Sequence, residues 1–203
     1  SITVEARRDI SDAQSGEDVT DRNAQRILDR VQRNLDLPLK LFPYQEVGVT
    51  FIELSKGKAL LGDDMGLGKT AQSLAWLALH KDKPPVIVIC PASVKINWGR
   101  EIDKWIPDTP FQIINSGKDE IEEGKEVYII NYDLLRKHEE GLIGIGASVV
   151  ILDEATDIKE RKSQRTKVTM RIAKNSPHIL ALSGTPILNK PIEFFNVLNL
   201  LAP

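Results

Sequence analysis

Apolar and polar positions follow two rhythms along this chain. From Asp21 onward, Ala24, Ile27, Leu28, Val31 and Leu35 recur at spacings of three and four, which places them on one face of a helix. Pro38 and Pro43 then turn the chain, and Tyr44 to Leu54 resumes a helical pattern with Val47, Val49, Phe51 and Ile52 towards the buried side. After that the rhythm changes. Short apolar runs without alternation appear at Ala59–Leu61, Pro85–Cys90, Phe111–Ile114, Val127–Ile130, Ser148–Leu152 and His178–Leu182. Amphipathic stretches separate many of them: Ala71–Leu79, Ser93–Trp105 with Val94, Trp98, Ile102 and Trp105 near one stripe, Arg165–Ala173, and a last helix over Pro191–Leu200. The two tryptophans of that stripe read as core anchors. Unbroken apolar strands belong to sheets covered on both sides, so the pattern predicts an α/β fold with a mostly parallel sheet and helices on both faces. Residues 1–20 are polar and irregular and read as a tail. Residues 21–37 form an N-terminal helix and residues 38–203 one α/β lobe. No internal repeat or low-complexity block interrupts it.

Composition narrows the picture modestly. With 203 residues, 41% of them hydrophobic, the chain can bury a proper core in one domain. A net charge of −2 gives no global argument for a nucleic-acid partner, so any such contact must be a local patch. The single cysteine, Cys90, excludes an internal disulfide framework, fits a reducing cytosol and reads as a core residue. The three histidines lack metal-ligand spacing, no apolar stretch is long enough to span a membrane, and there is no signal-peptide pattern. The chain opens on Ser1 rather than Met, which points to a processed or excised fragment.

The chemistry concentrates in Leu60-Leu61-Gly62-Asp63-Asp64-Met65-Gly66-Leu67-Gly68-Lys69-Thr70. A strand, two closely spaced glycines, Lys-Thr and a helix make a phosphate-binding loop. Gly66 and Gly68 let the backbone take positive φ and approach phosphate oxygens. Lys69 supplies charge to the β- and γ-phosphates, the Thr70 hydroxyl can hold Mg²⁺, and the helix beginning at Ala71 presents its positive end to the anion. The strict pattern wants glycine where this chain has Asp63. A plain Gly-rich turn before a helix is the alternative.

A second segment bears on that choice. Ser148-Val149-Val150-Ile151-Leu152-Asp153-Glu154 is an apolar run ending in two carboxylates. At the C-terminal end of a parallel strand they reach the crevice where open α/β sheets bind ligands. There Asp153 would hold the Mg²⁺ of Mg-ATP through water, and Glu154 would orient and deprotonate the attacking water. The alternative is an acidic first turn of the next helix. A basic group, Lys159, Arg161, Lys162, Arg165 and Lys167, follows closely. Lys95, Arg100 and Lys104 could extend it into a sequence-independent contact with a phosphate backbone, unless it is simply a solvated helix face.

Four further segments stand in order around these two: Leu41-Phe42-Pro43-Tyr44-Gln45, Cys90-Pro91-Ala92-Ser93-Val94-Lys95-Ile96-Asn97-Trp98, Asn131-Tyr132-Asp133-Leu134-Leu135, and Leu182-Ser183-Gly184-Thr185-Pro186-Ile187-Leu188-Asn189. Together the six resemble the first RecA-like lobe of a superfamily-two helicase-type P-loop NTPase. Gly62 to Thr70, Asn97-Trp98 and Ser183 to Ile187 are similar to the Swi/Snf group of double-stranded DNA translocases, nearest the annealing-helicase branch and its bacterial or phage relatives. The resemblance covers roughly residues 40–203.

It implies an ATP- and Mg²⁺-dependent hydrolase, intracellular in cytoplasm, nucleoid or nucleus, with duplex DNA and a second RecA-like lobe as partners. In those terms Gln45 would read the adenine edge. Asp64, Met65, Gly66, Leu67, Gly68, Lys69 and Thr70 would cradle the phosphates. Lys69, Asp153 and Glu154 would be catalytic, with Thr70 and Asp153 on the metal. Ser183, Gly184 and Thr185 would couple hydrolysis to movement. Ser93, Lys95, Asn131 and Tyr132 would lie along the DNA groove, where Arg161 and Lys162 of the basic group would join them. Asp63 is usual for the Swi/Snf group, whereas Thr156 stands where the family carries His. The family sets its ATP between two lobes, the second bringing arginine fingers, so this chain reads as an isolated first lobe with weak nucleotide binding and little turnover. A motor lobe of a restriction or defence complex, and a nucleotide- or protein-binding module without turnover, are the alternatives. An Asp-Glu-Ala-Asp RNA helicase fits less well, given Thr156 and Ser183-Gly184-Thr185.

Overall fold

The structure, a computed structural model, describes residues 17–158, 163–184 and 195–201. In chain order these hold α1 (Glu17–Asn34), α2 (Pro43–Leu54), β1 (Lys58–Leu61), α3 (Lys69–Leu79), β2 (Val86–Cys90), α4 (Lys95–Trp105), β3 (Phe111–Ile114), β4 (Val127–Asn131), α5 (Leu135–Gly144), β5 (Val149–Leu152), α6 (Gln164–Ala173), β6 (His178–Leu182) and α7 (Phe195–Leu201). Short 3₁₀ turns at Ala92–Val94, Tyr132–Leu134 and Ala155–Ile158 lead out of β2, β4 and β5. The six strands pair in the order β1-β6-β5-β2-β4-β3, and every pairing is parallel.

Side-chain alternation divides the core between the two faces of the sheet. Val86, Val88 and Cys90 of β2, with Val149 and Ile151 of β5, pack with α1, α2, α3 and α4. Their neighbours Ile87, Ile89, Val150 and Leu152 pack with α5, α6 and α7. Strands covered on both sides lose the polar positions of a half-exposed sheet, which is why they read as unbroken apolar runs. Cys90 is fully buried, and desolvation raises its thiol pKa to about 12, with Asp153 adding to the rise and Lys95 opposing it. It is a core group rather than a reactive thiol.

Three local expectations change. The first helix begins at Glu17, ahead of Asp21. The helix expected from Ser93 starts at Lys95, after a 3₁₀ turn. α5 was not legible in the sequence: Gly141 and Gly144 depress its helix propensity, and only Leu135, His138 and Leu142 form its buried stripe. Gly141 is there for closeness, since a side chain would run into Ile121. The expected tail lies outside the described residues over 1–16, as do the first residues of the last expected helix, 191–194.

α1 is docked onto the lobe. Val31 is buried in the same cluster as Val49 and Ile52 of α2, with Ile27 and Leu35 packed against it. Glu53 ties this end together: its carboxylate accepts from Trp76 Nε1 of α3 at 2.9 Å and from His80 Nε2, just past the end of α3, at 2.7 Å, and pairs with Arg30 of α1. His178, at the start of β6, meets the Trp76 ring at a centroid distance of 5.5 Å and donates from Nδ1–H to the Lys56 carbonyl at 3.0 Å. Burial, the largest influence, raises the Glu53 pKa, but the bonds from His80 and Trp76 and the charges of His80 and Arg30 outweigh it and leave it lowered.

That sign fixes a pH dependence. A carboxylate lowered in the folded state contributes stability that is complete above its ordinary value of 4.5 and is lost as pH falls through the native value. Glu53→Gln should therefore destabilise the protein at pH 7 by about 1–3 kcal/mol, the scale for a buried donor deprived of a charged acceptor. The gap to the wild-type protein should close as the pH drops below that range. Urea denaturation at several pH values checks both; a gap that stays constant with pH would refute the ionic role.

Candidate nucleotide-binding site

The strand order assembles the site. β5 and β6 insert between β1 and β2, so the C-terminal ends of β1, β6 and β5 lie side by side. Leu61 pairs with Leu182, and Ala181 with Leu152, so the phosphate loop, Ser183 and Asp153 leave the sheet at neighbouring points along one edge. Backbone bonds continue the sheet past the strand ends: Ser183 N–H donates to Leu61 O at 3.0 Å and Asp153 N–H to Ile89 O at 2.8 Å. The next two strands deliver Pro91–Lys95 and Asn131–Tyr132 to the same edge, with Cys90 opposite Asn131.

The loop has the backbone that its glycines foretold: Gly66 takes φ 84° and Gly68 φ 74°, and α3 starts immediately at Lys69. The Lys69 ammonium donates to the carbonyls of Asp63 at 2.6 Å and Asp64 at 3.0 Å. Burial lowers its pKa, while Asp63, Glu154, Asp153 and Asp64, in that order, pull it back up. Both carboxylates of the second motif are therefore close enough to Lys69 to be felt by it. Glu154 takes φ 49°, an uncommon conformation for a non-glycine residue that tends to mark functional turns.

Asp63 is buried, and its Oδ2 accepts from Gln72 Nε2 at 3.3 Å; the same amide nitrogen lies 3.3 Å from Leu67 O. Gln72, one turn into α3, thus braces both limbs of the loop. Gly48 of α2 makes room for it, because a side chain there would strike Gln72 Oε1. From the other side Gln45 Nε2 reaches Leu67 O at 3.4 Å while its Oε1 accepts from Phe42 N–H at 2.9 Å, capping α2. Gln45 is buried, with both ends of its amide engaged in this support. Gly184 packs on Met65 of the loop, and a side chain at that position would collide with it.

Asp153 is held at three points. Oδ2 accepts from Trp98 Nε1 at 2.8 Å, Oδ1 accepts from Glu154 N–H at 3.0 Å, and its main-chain oxygen accepts from Tyr132 Oη–H at 2.9 Å. Burial, the dominant influence, raises its pKa against those two side-chain bonds and Lys69. Among the described residues no group of three or more His, Cys, Asp or Glu could hold a metal by itself. Each Asp153 carboxylate oxygen accepts one N–H and keeps a lone pair, a donor set that suits Mg²⁺, which is typically held by one or two protein groups with water and substrate phosphates completing its shell.

The residues expected along a DNA groove divide. Ser93 is exposed, but Lys95, Asn131 and Tyr132 are buried. The Lys95 ammonium donates to Ile114 O at 2.8 Å, and Tyr132 supports Asp153. Their side chains are largely covered within the lobe. Arg165 pairs with Asp133 at 2.6 Å and stands over the Tyr132 ring. Lys159, Arg161, Lys162 and Thr185 lie outside the described residues. Sequence reasoning missed the parts played by Trp98 and Gln72. The signal for Trp98 was a buried indole, whose N–H needs an acceptor.

Phosphate loop, acidic strand end and all-parallel sheet define a RecA-like P-loop NTPase lobe. The family model of the SNF2-related domain matches residues 33–203. The SWI/SNF-related matrix-associated actin-dependent regulator of chromatin subfamily A-like protein 1 of Bos taurus is 34% identical over 166 residues, covering 80% of this chain and 17% of that protein. The DNA annealing helicase and endonuclease ZRANB3 of Bos taurus is 33% identical over 175 residues, covering 82% of this chain and 16% of that protein. The Sulfolobus solfataricus SWI2/SNF2 ATPase core in complex with dsDNA superposes with a TM-score of 0.76 at 30% identity, over 84% of this chain and 37% of that one. The chain belongs to the SNF2-related domain family and constitutes its first RecA-like lobe.

The two loop glycines should respond differently to substitution. A methyl at Gly66 meets open space, whereas one at Gly68 collides with Gln45. Both alanine variants bear a positive-φ cost of about 1–2 kcal/mol. Gly68→Ala should lose clearly more stability than Gly66→Ala because it also displaces the Gln45 brace. Equal thermal unfolding of the two variants would show that Gln45 is not bound to the loop.

Proposed function

We propose that this lobe binds Mg-ATP at its phosphate loop and, with a second RecA-like lobe, forms a motor that hydrolyses ATP while moving along double-stranded DNA. One observation carries the reading: Lys69, Asp153 and Glu154 come from two strand ends held side by side by β6, close enough for both carboxylates to act on the ammonium. The DNA part draws its support from the complex that a structural relative forms with dsDNA.

In this reading Lys69 leaves the carbonyls of Asp63 and Asp64 for the β- and γ-phosphates. The N–H groups of the Gly66–Lys69 turn and the N-terminus of α3 take the remaining oxygens. Thr70 and Asp153 would hold Mg²⁺, which when bound neutralises phosphate charge and draws electron density from the breaking bond. Glu154 orients a water in line with the γ-phosphate and accepts its proton. Ser183, Gly184 and Thr185, through the packing of Gly184 on Met65, pass changes in the loop towards the polymer-facing edge. Ser93, together with Arg161 and Lys162, would touch the DNA backbone. The N-terminal segment to residue 37 is an accessory to the lobe, which begins near residue 38.

A second lobe would bring arginine fingers, worth about 10³–10⁵ in rate in comparable phosphoryl transfers. The lobe alone should therefore bind nucleotide weakly and turn it over slowly or not at all. ATP hydrolysis measured for this chain and for a two-lobed protein containing it, with no polymer, duplex DNA, single-stranded DNA and RNA, tests this. Duplex stimulation confined to the two-lobed protein is expected; motor-like turnover by the lobe alone would refute the division of labour. Lys69→Ala should abolish nucleotide binding. Glu154→Gln in the two-lobed protein should preserve binding and lower hydrolysis by about 10²–10⁴-fold, the usual contribution of a positioned base.

A further inference from the structure

We propose that Trp98 is a positioning residue for the Asp153 carboxylate: its indole N–H fixes the plane in which that carboxylate meets the metal of the nucleotide site. The inference rests on the nucleotide-site reading given above and adds a residue to it.

The three tryptophans of the chain supply an internal comparison. Each donates its indole N–H to a carboxylate. Trp105 bonds Glu101 at 2.8 Å, one turn back on its own helix, and Trp76 bonds Glu53 at 2.9 Å at the opposite end of α3 from the phosphate loop. Trp98 reaches across 55 residues of sequence to Asp153 Oδ2 at 2.8 Å. If Trp98 were only a space-filler, a phenylalanine would serve without a buried donor to satisfy. The indole is also immobile: Trp98 is 1% exposed and belongs to the cluster of Ile102, Trp105 and the β2 and β4 side chains.

An aspartate needs such a restraint. Its terminal torsion is broad and nearly two-fold, so a carboxylate bonded through one oxygen still rocks about that contact. Here one N–H addresses each oxygen, Glu154 on Oδ1 and Trp98 on Oδ2, while Tyr132 holds the main-chain oxygen. Each carboxylate oxygen keeps a second lone pair for water or metal. Removing the indole N–H leaves the carboxylate tethered only through Oδ1, to the Glu154 N–H, and frees the plane. Groups that orient a metal-holding carboxylate typically change metal affinity or activity by about 10–100-fold.

Trp98→Phe keeps the ring and deletes the donor. Affinity of the full chain for a fluorescent ATP analogue should be measured in Mg²⁺ and in EDTA, with Mn²⁺ binding to the nucleotide complex followed by electron paramagnetic resonance. The expected result is unchanged affinity in EDTA and a loss of about 10–100-fold in Mn²⁺ affinity. A folded variant with unchanged metal affinity would overturn the proposal. Should the variant unfold, the wild-type protein carries the test through its ¹⁵N-indole spectrum, with Trp98 assigned by elimination using Trp76→Phe and Trp105→Phe. Its resonance should move on adding Mg-nucleotide and much less on adding nucleotide with EDTA. Equal movement in both, or none in either while nucleotide binds, would overturn the proposal. Wild-type protein that binds nucleotide no better than Lys69→Ala would instead remove the nucleotide-site reading, and the positioning role with it.

Discussion

Parallel pairing, with two late strands inserted between two early ones, is the constraint on which the rest of the structure depends. In a parallel sheet every strand ends on the same edge, so groups placed after strands are gathered without further instruction. Had β5 and β6 been added outside β2, the acidic pair would lie several strand widths from the phosphate loop, at about 4.8 Å per strand. Insertion instead makes β6 the neighbour of β1 and β5 the neighbour of β6. The register then finishes the placement, with Leu61, Leu182 and Leu152 ending their strands almost level.

Burial holds this edge in shape. Gln45 and Gln72 are buried amides that hydrogen-bond the same loop carbonyl, Leu67 O, from two helices. Each is seated where glycine leaves room: Gly68 beneath Gln45, and Gly48 beneath Gln72. At the other end of α3, Glu53 collects Trp76, His80 and Arg30. The helix that carries the loop is therefore tied at both ends, and α1 belongs to the second tie. Docking of α1 is thus a physical extension of the lobe and links residues before the phosphate loop to the position of the loop itself.

Much of this was legible because the signals were local. Apolar runs gave the six strands to within a residue or so, and loop composition gave the positive φ of Gly66 and Gly68. The proximity of Asp153 and Glu154 to Lys69 followed from strand-end placement. α5 escaped because its glycines serve tertiary contact with Ile121 and not helix formation. Trp98 escaped for a related reason: helical periodicity marks it as core, and periodicity carries no information about where an indole N–H points. The resemblance assigns Lys95 and Tyr132 to a segment along a groove, and it carries no information on their hydrogen bonds to Ile114 and Asp153. Motif position identifies a segment, whereas tertiary burial decides which atoms of it are presented.

The electrostatics of the edge bear on how such a lobe must work. The charges of Asp63, Glu154, Asp153 and Asp64 all act on the Lys69 ammonium. A triphosphate entering this site adds more negative charge to a region that already carries an excess. The positive end of α3 offsets only part of it, since a helix terminus is equivalent to roughly half an elementary charge. Mg²⁺ and cationic groups from elsewhere must supply the remainder, and they do so most strongly where the site is closed from water. In the proposed function, nucleotide affinity, metal dependence and lobe closure therefore depend on one electrostatic requirement. Under that reading, a lobe separated from its partner would lack the part of the counter-charge that the partner brings.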